Sequence, residues 1–115
     1  MSIHKLHLPE RPFRAIKKGT KKVEARAEDV SQMKSGDILV FEHETTGELL
    51  ETTILFVNHY LDSKTLLETE GVENVLSSEP KTIEHGIESL NSFTGYKERI
   101  EKYGIYAIGV KINSV

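Results

Sequence analysis

The C-terminal stretch constrains this chain most. From Ile105 to Ile112, the residues Tyr106, Ile108, Val110 and Ile112 alternate onto one side, which is the period of a strand with a fully apolar face. Such a strand belongs inside a sheet. Yet the segments before it read as helices. Leu66 and Leu67 run towards Gly71, then Ile83, Ile87 and Leu90 recur at helical spacing, and Tyr96, Ile100 and Tyr103 do the same up to Gly104. The other strand-like stretches all precede residue 61. The chain therefore builds most of a sheet early, leaves it for a helical excursion, and returns to it with its last strand.

The early strands are read at residues 3–8, 22–27, 37–43 and 49–60. In the first, Ile3 lies at odd spacing from Leu6 and Leu8, so its alternation is imperfect. Pro12 suits the first turn of a short helix over 12–18, since its missing N–H has no partner there, and Gly19 is a natural stop. Ser35-Gly36-Asp37 and Thr45-Thr46-Gly47 are turn signals, the second joining two strands as an antiparallel hairpin. Asp62 caps a helix over 63–70, Pro80 opens one over 80–91, and a last helix covers 96–103. This order fits a mixed α/β fold, a small barrel of about five to six strands with helices at its ends. The expected core comprises Phe13, Ile16, Val23, Ile38, Val40, Ile54, Phe56, Ile108 and Val110.

Composition removes several function classes. The 115 residues form one domain, 1–115, with 37% apolar and 29% charged side chains. There is no cysteine, which excludes disulfides and thiolate chemistry and suits a reducing cytoplasmic setting. No apolar run is long enough to span a bilayer, and residues 1–5 lack the apolar stretch of a secretion signal. The five histidines show no ligand spacing, so neither a metal nor another cofactor is expected. The net charge of −3 argues against broad nucleic-acid binding. It conceals an asymmetry, because residues 1–26 carry eight Lys or Arg against two Glu, a net of +6. The simplest reading of that excess is a solvated helix whose cations complement its C-terminal dipole.

The densest chemistry lies in Gly19-Thr20-Lys21-Lys22-Val23-Glu24-Ala25-Arg26. Glu24 and Arg26 share one strand face, where they can pair or line a cavity. Lys21 enters from a turn that Gly19 permits. The plain alternative is a helix stop followed by a strand whose charged face is solvated.

This segment resembles the pattern of the ASCH domain: Gly, any residue, Lys, two residues, Glu, any residue, Arg. Pro12-Phe13, Ile16, Lys34-Ser35-Gly36-Asp37-Ile38, Phe41, Tyr60, Leu66-Leu67, Tyr96 and Tyr103-Gly104-Ile105-Tyr106-Ala107-Ile108 follow in the family's order. The resemblance implies a PUA-like barrel and binding of RNA, or of a modified nucleobase or nucleotide, in a cleft lined by Lys21, Glu24 and Arg26. It also brings Tyr60 near that cleft as a stacking residue, although a tyrosine more commonly caps the core with its hydroxyl at the surface. Tyr96 and Tyr103 read as packing residues. One small subgroup is similar to an amidohydrolase that deacetylates N4-acetylcytidine with a Lys, a Thr and a downstream Glu. Its Lys falls on Lys21, its Thr position falls on Glu24, and its acid falls on Glu68, Glu70 or Glu73.

In that alternative Lys21 and Glu24 are the catalytic pair. Lys21 accepts a proton only if burial or a nearby cation, Lys22 or Arg26, lowers its pKa, and Glu24 opposes that. A plain Lys21–Glu24 ion pair is the competing state. In the binding reading, Lys21 donates to a ligand oxygen, and its loss removes binding without loss of stability.

Overall fold

A computed structural model describes residues 1–113. The elements are β1 (Ile3–Leu8), α1 (Glu10–Lys18), β2 (Val23–Arg26), β3 (Ile38–His43), β4 (Leu49–Tyr60), α2 (Ser63–Glu70), α3 (Val72–Val75), α4 (Ile83–Asn91), α5 (Tyr96–Tyr103) and β5 (Ile105–Ile112). The five strands form one curled sheet in the order β1-β3-β4-β5-β2. β1 runs parallel to β3, and the remaining pairs are antiparallel. The result is a half-barrel whose seam lies between the two edge strands, β1 and β2. The final strand does return to the interior of the sheet, between β4 and β2.

Local chemistry explains most element ends. Pro9 stands at the N-cap of α1, and Phe13 N–H donates to its carbonyl as the first helical bond. Gly19 ends α1 in the left-handed conformation at φ 84°, so its N–H and that of Thr20 turn back onto Ile16 and Ala15. Asp62 caps α2 by accepting from Thr65 N–H. The helix expected to open at Pro80 instead starts at Ile83, because the Thr82 hydroxyl caps it by accepting from His85 N–H. The short helix α3 was not legible as a separate element.

Two apolar clusters flank β5. Ile108 and Val110 face the barrel interior with Phe13, Ile16, Leu39, Phe41 and Ile54. Ile105 and Ala107 face the other way, under Leu66, Leu67, Leu90 and Ile100 of the helices. β5 is therefore apolar on both sides, beyond the single face that its alternation displays.

Three expected core residues sit elsewhere. Ile38 and Val40 are half-buried on the outer face of β3, whereas Leu39 and Phe41 are fully buried. The run Ile38-Leu39-Val40-Phe41 is apolar throughout, so periodicity cannot assign its parity. The inner set also contains a polar residue at each end, which argued for the wrong face. Asp37 is buried because it accepts from Ser2 N–H, Lys34 N–H and the His4 ring. His43 is buried with Nε2 donating to Glu10 at 2.6 Å and Nδ1 accepting from the Thr45 and Thr46 amides. Phe56 is the third correction. A bulge between Ile54 and Phe56 shifts the register, so Ile54 points inward but Phe56 packs half-buried on the helical side. Its ring lies over Gly109, where an added Cβ would come within 2.1 Å of it.

Candidate functional site

The seam between β1 and β2 is where the charged residues gather. Glu24 and Arg26 pair with Ile108 and Tyr106 of β5, so their side chains point to the inner face. Val23, Ala25 and Ala27 point to the helical cluster. Both faces of β2 are thus covered, and its charged face is not solvated.

A continuous polar chain results. Lys21 is buried, 5% exposed, and its Nζ donates to the carbonyls of Val23 at 2.7 Å and Val75 at 2.5 Å. Glu24, equally buried, lies 3.4 Å from that ammonium through one carboxylate oxygen and accepts from Arg26 Nε at 2.7 Å through the other. Arg26 continues outward, with Nη1 on Glu28 at 2.9 Å and Nη2 on the His7 carbonyl of β1 at 2.7 Å. This last bond spans the open seam. The chain therefore ties α3, β2 and β1 together.

The electrostatics follow from burial and pairing. Burial pushes the Lys21 ammonium below its usual range, Glu24 opposes the shift, and the nearby Arg26 and Lys81 charges reinforce it. Burial works against the Arg26 guanidinium, but Glu24, joined by Tyr96 and Glu28, more than compensates and holds it charged. Lys22, expected to assist in lowering Lys21, is exposed just ahead of β2, lies outside the cleft lining and is not among the charges that act on Lys21.

This chain floors a cleft of about 740 Å³. One wall is the β1–α1 junction with Leu8, Pro9 and Arg11. The opposite wall is the loop after α3 with Ser77 and Ser78, and the α4–α5 corner with Phe93 and Tyr96. Phe93 is 45% exposed, and its ring lies 5.3 Å from that of Tyr96 in a tilted pair. Arg99 covers one side of Tyr96, with its guanidinium carbon 5.3 Å from the ring centre. Burial, with Glu24 and Glu28 adding and Arg26 opposing, raises the Tyr96 phenol.

The profile of the ASCH domain matches residues 6–113. The chain belongs to the ASCH domain family. No curated protein matches it. Among solved structures it is similar to the crystal structure of hypothetical protein PH0355, with 35% identity, a TM-score of 0.82, and 98% of this chain and 100% of that one covered. It is also similar to the solution NMR structure of protein PF0455 from Pyrococcus furiosus, with 32% identity, a TM-score of 0.74 and full coverage of both chains. The curled half-barrel with helices at its ends is the mixed α/β, PUA-like form expected of this family.

Of the residues singled out in this ASCH domain, Lys21, Glu24 and Arg26 converge on one cleft. Tyr60 does not join them. Its hydroxyl donates to Glu70 at 2.5 Å, and burial together with that carboxylate pushes the phenol up to about 12. Glu70 is thereby occupied, Glu68 and Glu73 are exposed, and none of the three lines the cleft. Sequence reasoning missed the aromatic wall. Tyr96 sits at helical spacing with Ile100 and does pack against the helical cluster, so its second role left no separate signal. Phe93 follows the last turn of α4 in a stretch with no periodicity. Among the described residues no group of three or more His, Asp or Glu is arranged to hold a metal ion, and no helix is long and apolar enough to cross a membrane.

Proposed function

We propose that this ASCH domain binds a nucleobase, carried by a nucleoside or nucleotide, in the cleft between β1, β2 and the α4–α5 corner. The observation that carries the reading is the pairing of a buried, hydrogen-bonded polar floor with an exposed aromatic wall. A planar heterocycle stacks on the exposed ring of Phe93, which Tyr96 backs, while its polar edge meets the Glu24–Arg26 chain. Each oxygen of Glu24 retains a lone pair for an amine or hydroxyl donor, and Arg26 keeps two unassigned N–H groups.

Charge favours a base over a phosphate backbone as the recognised element. Arg11, Lys21 and Arg26 line the cleft against Glu10, Glu24 and Glu44, so it carries no cationic excess. Part of the basic N-terminal segment is already paired, Lys5 with Glu42, Arg14 with Glu10 and Glu48, and Lys17 with Glu48, and the exposed Lys18 and Lys22 lie outside the cleft lining. Backbone binding needs several free cations and weakens steeply with salt. Base stacking in a charge-balanced cleft does not.

The amidohydrolase alternative draws less support from Lys21. A neutral Lys21 has two N–H groups, both required by the Val23 and Val75 carbonyls, and would turn its lone pair towards the Glu24 carboxylate. Burial favours that neutral form, but the acceptor set favours the ammonium, and an ammonium with three partners is no proton acceptor. Calorimetric titration of a panel of free nucleosides and short single-stranded RNAs at two salt concentrations tests the binding reading. Saturable binding of a nucleoside, little changed by salt and abolished in Phe93→Ala, is expected. Binding of RNA alone, lost at the higher salt, overturns it.

A further inference from the structure

The wall facing Lys21 holds a second reactive constellation. Ser78 lines the cleft from the loop after α3, and its Oγ lies 2.9 Å from Nε2 of His85 in the first turn of α4. Both side chains are half-buried. In the tautomer with the proton on Nδ1, the serine hydroxyl donates to Nε2, which is the arrangement of a nucleophile with its base. The backbone of α4 fixes the ring's starting point, because His85 N–H donates to the Thr82 hydroxyl.

The same loop offers anion-stabilising donors. Among the described residues the amides of Ser77 and Ser78 have no protein acceptor. The carbonyls just before them are gripped by ammonium groups, Val75 by Lys21 at 2.5 Å and Leu76 by Lys81 at 3.2 Å. In a trans peptide the N–H lies antiparallel to its C=O, so the Lys81 bond to the Leu76 carbonyl polarises the Ser77 N–H in the same peptide unit. A nucleophile–base pair, unpaired amides beside it and two cations behind the loop stand together at one edge of a cleft.

We infer that Ser78 and His85 are a nucleophile–base pair for acyl transfer, taking an acyl ester or acyl amide whose acyl group lies against the 75–78 loop. Ser78 Oγ bonds to the acyl carbon as its proton passes to His85 Nε2. The C–O or C–N bond to the leaving group then breaks, and the leaving group takes that proton from His85. Water, deprotonated by the same imidazole, attacks the acyl-serine, releases the carboxylic acid and returns the proton to Ser78. The amides of Ser77 and Ser78 are the donors for the oxyanion of each tetrahedral intermediate. The choice of acyl compound rests on the nucleobase reading, because the cleft that would hold the leaving group is the same one.

The test uses the full chain and p-nitrophenyl acetate, which needs no nucleobase. A burst of p-nitrophenolate with one acetyl group trapped on Ser78, seen by intact mass and peptide mapping, is expected. Ser78→Ala should remove both, and His85→Ala should slow the burst by about 10²–10⁴-fold, in folded proteins as judged by circular dichroism. No burst, or acetylation only on lysine and unaffected by Ser78→Ala, overturns the inference. Wild-type protein that binds a nucleoside without acetylating Ser78 overturns this inference alone. Protein that acetylates Ser78 but binds no nucleoside overturns the binding reading alone.

Discussion

Replacing Lys21 by Ala separates a structural hub from a free ligand cation. In the fold all three donors of its ammonium point to internal partners, the carbonyls of Val23 and Val75 and the carboxylate of Glu24. Truncation leaves two carbonyls without their donor and strips one of the two cations from a carboxylate that is 6% exposed. Breaking a buried pair from one side costs about 3–5 kcal/mol, because the remaining charge stays desolvated. A hydrogen bond to a charged group contributes about 1.5–3 kcal/mol, so two lost carbonyl bonds account for a cost of that size without any further effect. Relief from burying the ammonium works the other way, which sets the expected loss at about 3–4 kcal/mol. Against a total stability of about 5–15 kcal/mol, that is a large fraction. Urea titration should show the midpoint fall with an unchanged slope, and the Tm should drop by about 10–20 °C. Lys21→Met keeps the apolar stem and should lose nearly as much. Adding Glu24→Gln to Lys21→Met should recover part of the loss, since the unpaired carboxylate is then gone, and the coupling should be about 1–3 kcal/mol. A Lys21→Ala protein within about 0.5 kcal/mol of wild type would refute the hub and return Lys21 to the role of an available donor.

Other expectations follow from the same geometry. Leu39→Ala should cost about 2–5 kcal/mol by denaturant titration and Val40→Ala clearly less, reversing the order that the apolar run suggests. Gly109→Ala forces a methyl into the Phe56 ring and should cost about 1–3 kcal/mol, with much of it regained in combination with Phe56→Leu. Asp37 should control the acid limb of stability. The His4 hydrogen bond first, and then the Ser2 and Lys34 amides, hold its carboxyl at about 2, below the ordinary 3.8. A depressed carboxyl contributes stability above its unfolded value, and that contribution is lost as pH falls through the folded value. Thermal scans should therefore show a decline from pH 4 to pH 2 that is shallower in Asp37→Asn.

The convergence of Glu24 and Arg26 was legible because strand parity alone puts them on one face. The depth of Lys21 was not, since one of its acceptors is the carbonyl of Val75, 54 residues away and in a helix of four residues with no pattern of its own. Strand positions were readable wherever alternation was clean, as in β5. They failed in β3, where Asp37 and His43 occupy inward positions by virtue of hydrogen bonds that no periodicity records. Tyr60 misled for a related reason. It ends the long strand as expected, but Glu70 at the end of α2 holds its hydroxyl and so fixes it away from the cleft. The +6 of the N-terminal segment was real as a count but does not collect at the cleft, because Glu42 and Glu48 pair with Lys5, Arg14 and Lys17 from β3 and the hairpin, and the exposed Lys18 and Lys22 lie outside the cleft lining.

The seam cleft of this ASCH domain is the proposed seat of a nucleobase. Amide chemical-shift mapping during titration with a saturating nucleoside tests it most directly. Shifts are expected to concentrate at Glu24–Ala27, at Ser77 and Ser78, and around Phe93 and Tyr96, with the far end of β4 at Tyr60 unmoved. Shifts confined to the exposed Lys18, Lys22 and Lys111 surface, or no shifts with any nucleoside of the panel, would contradict it.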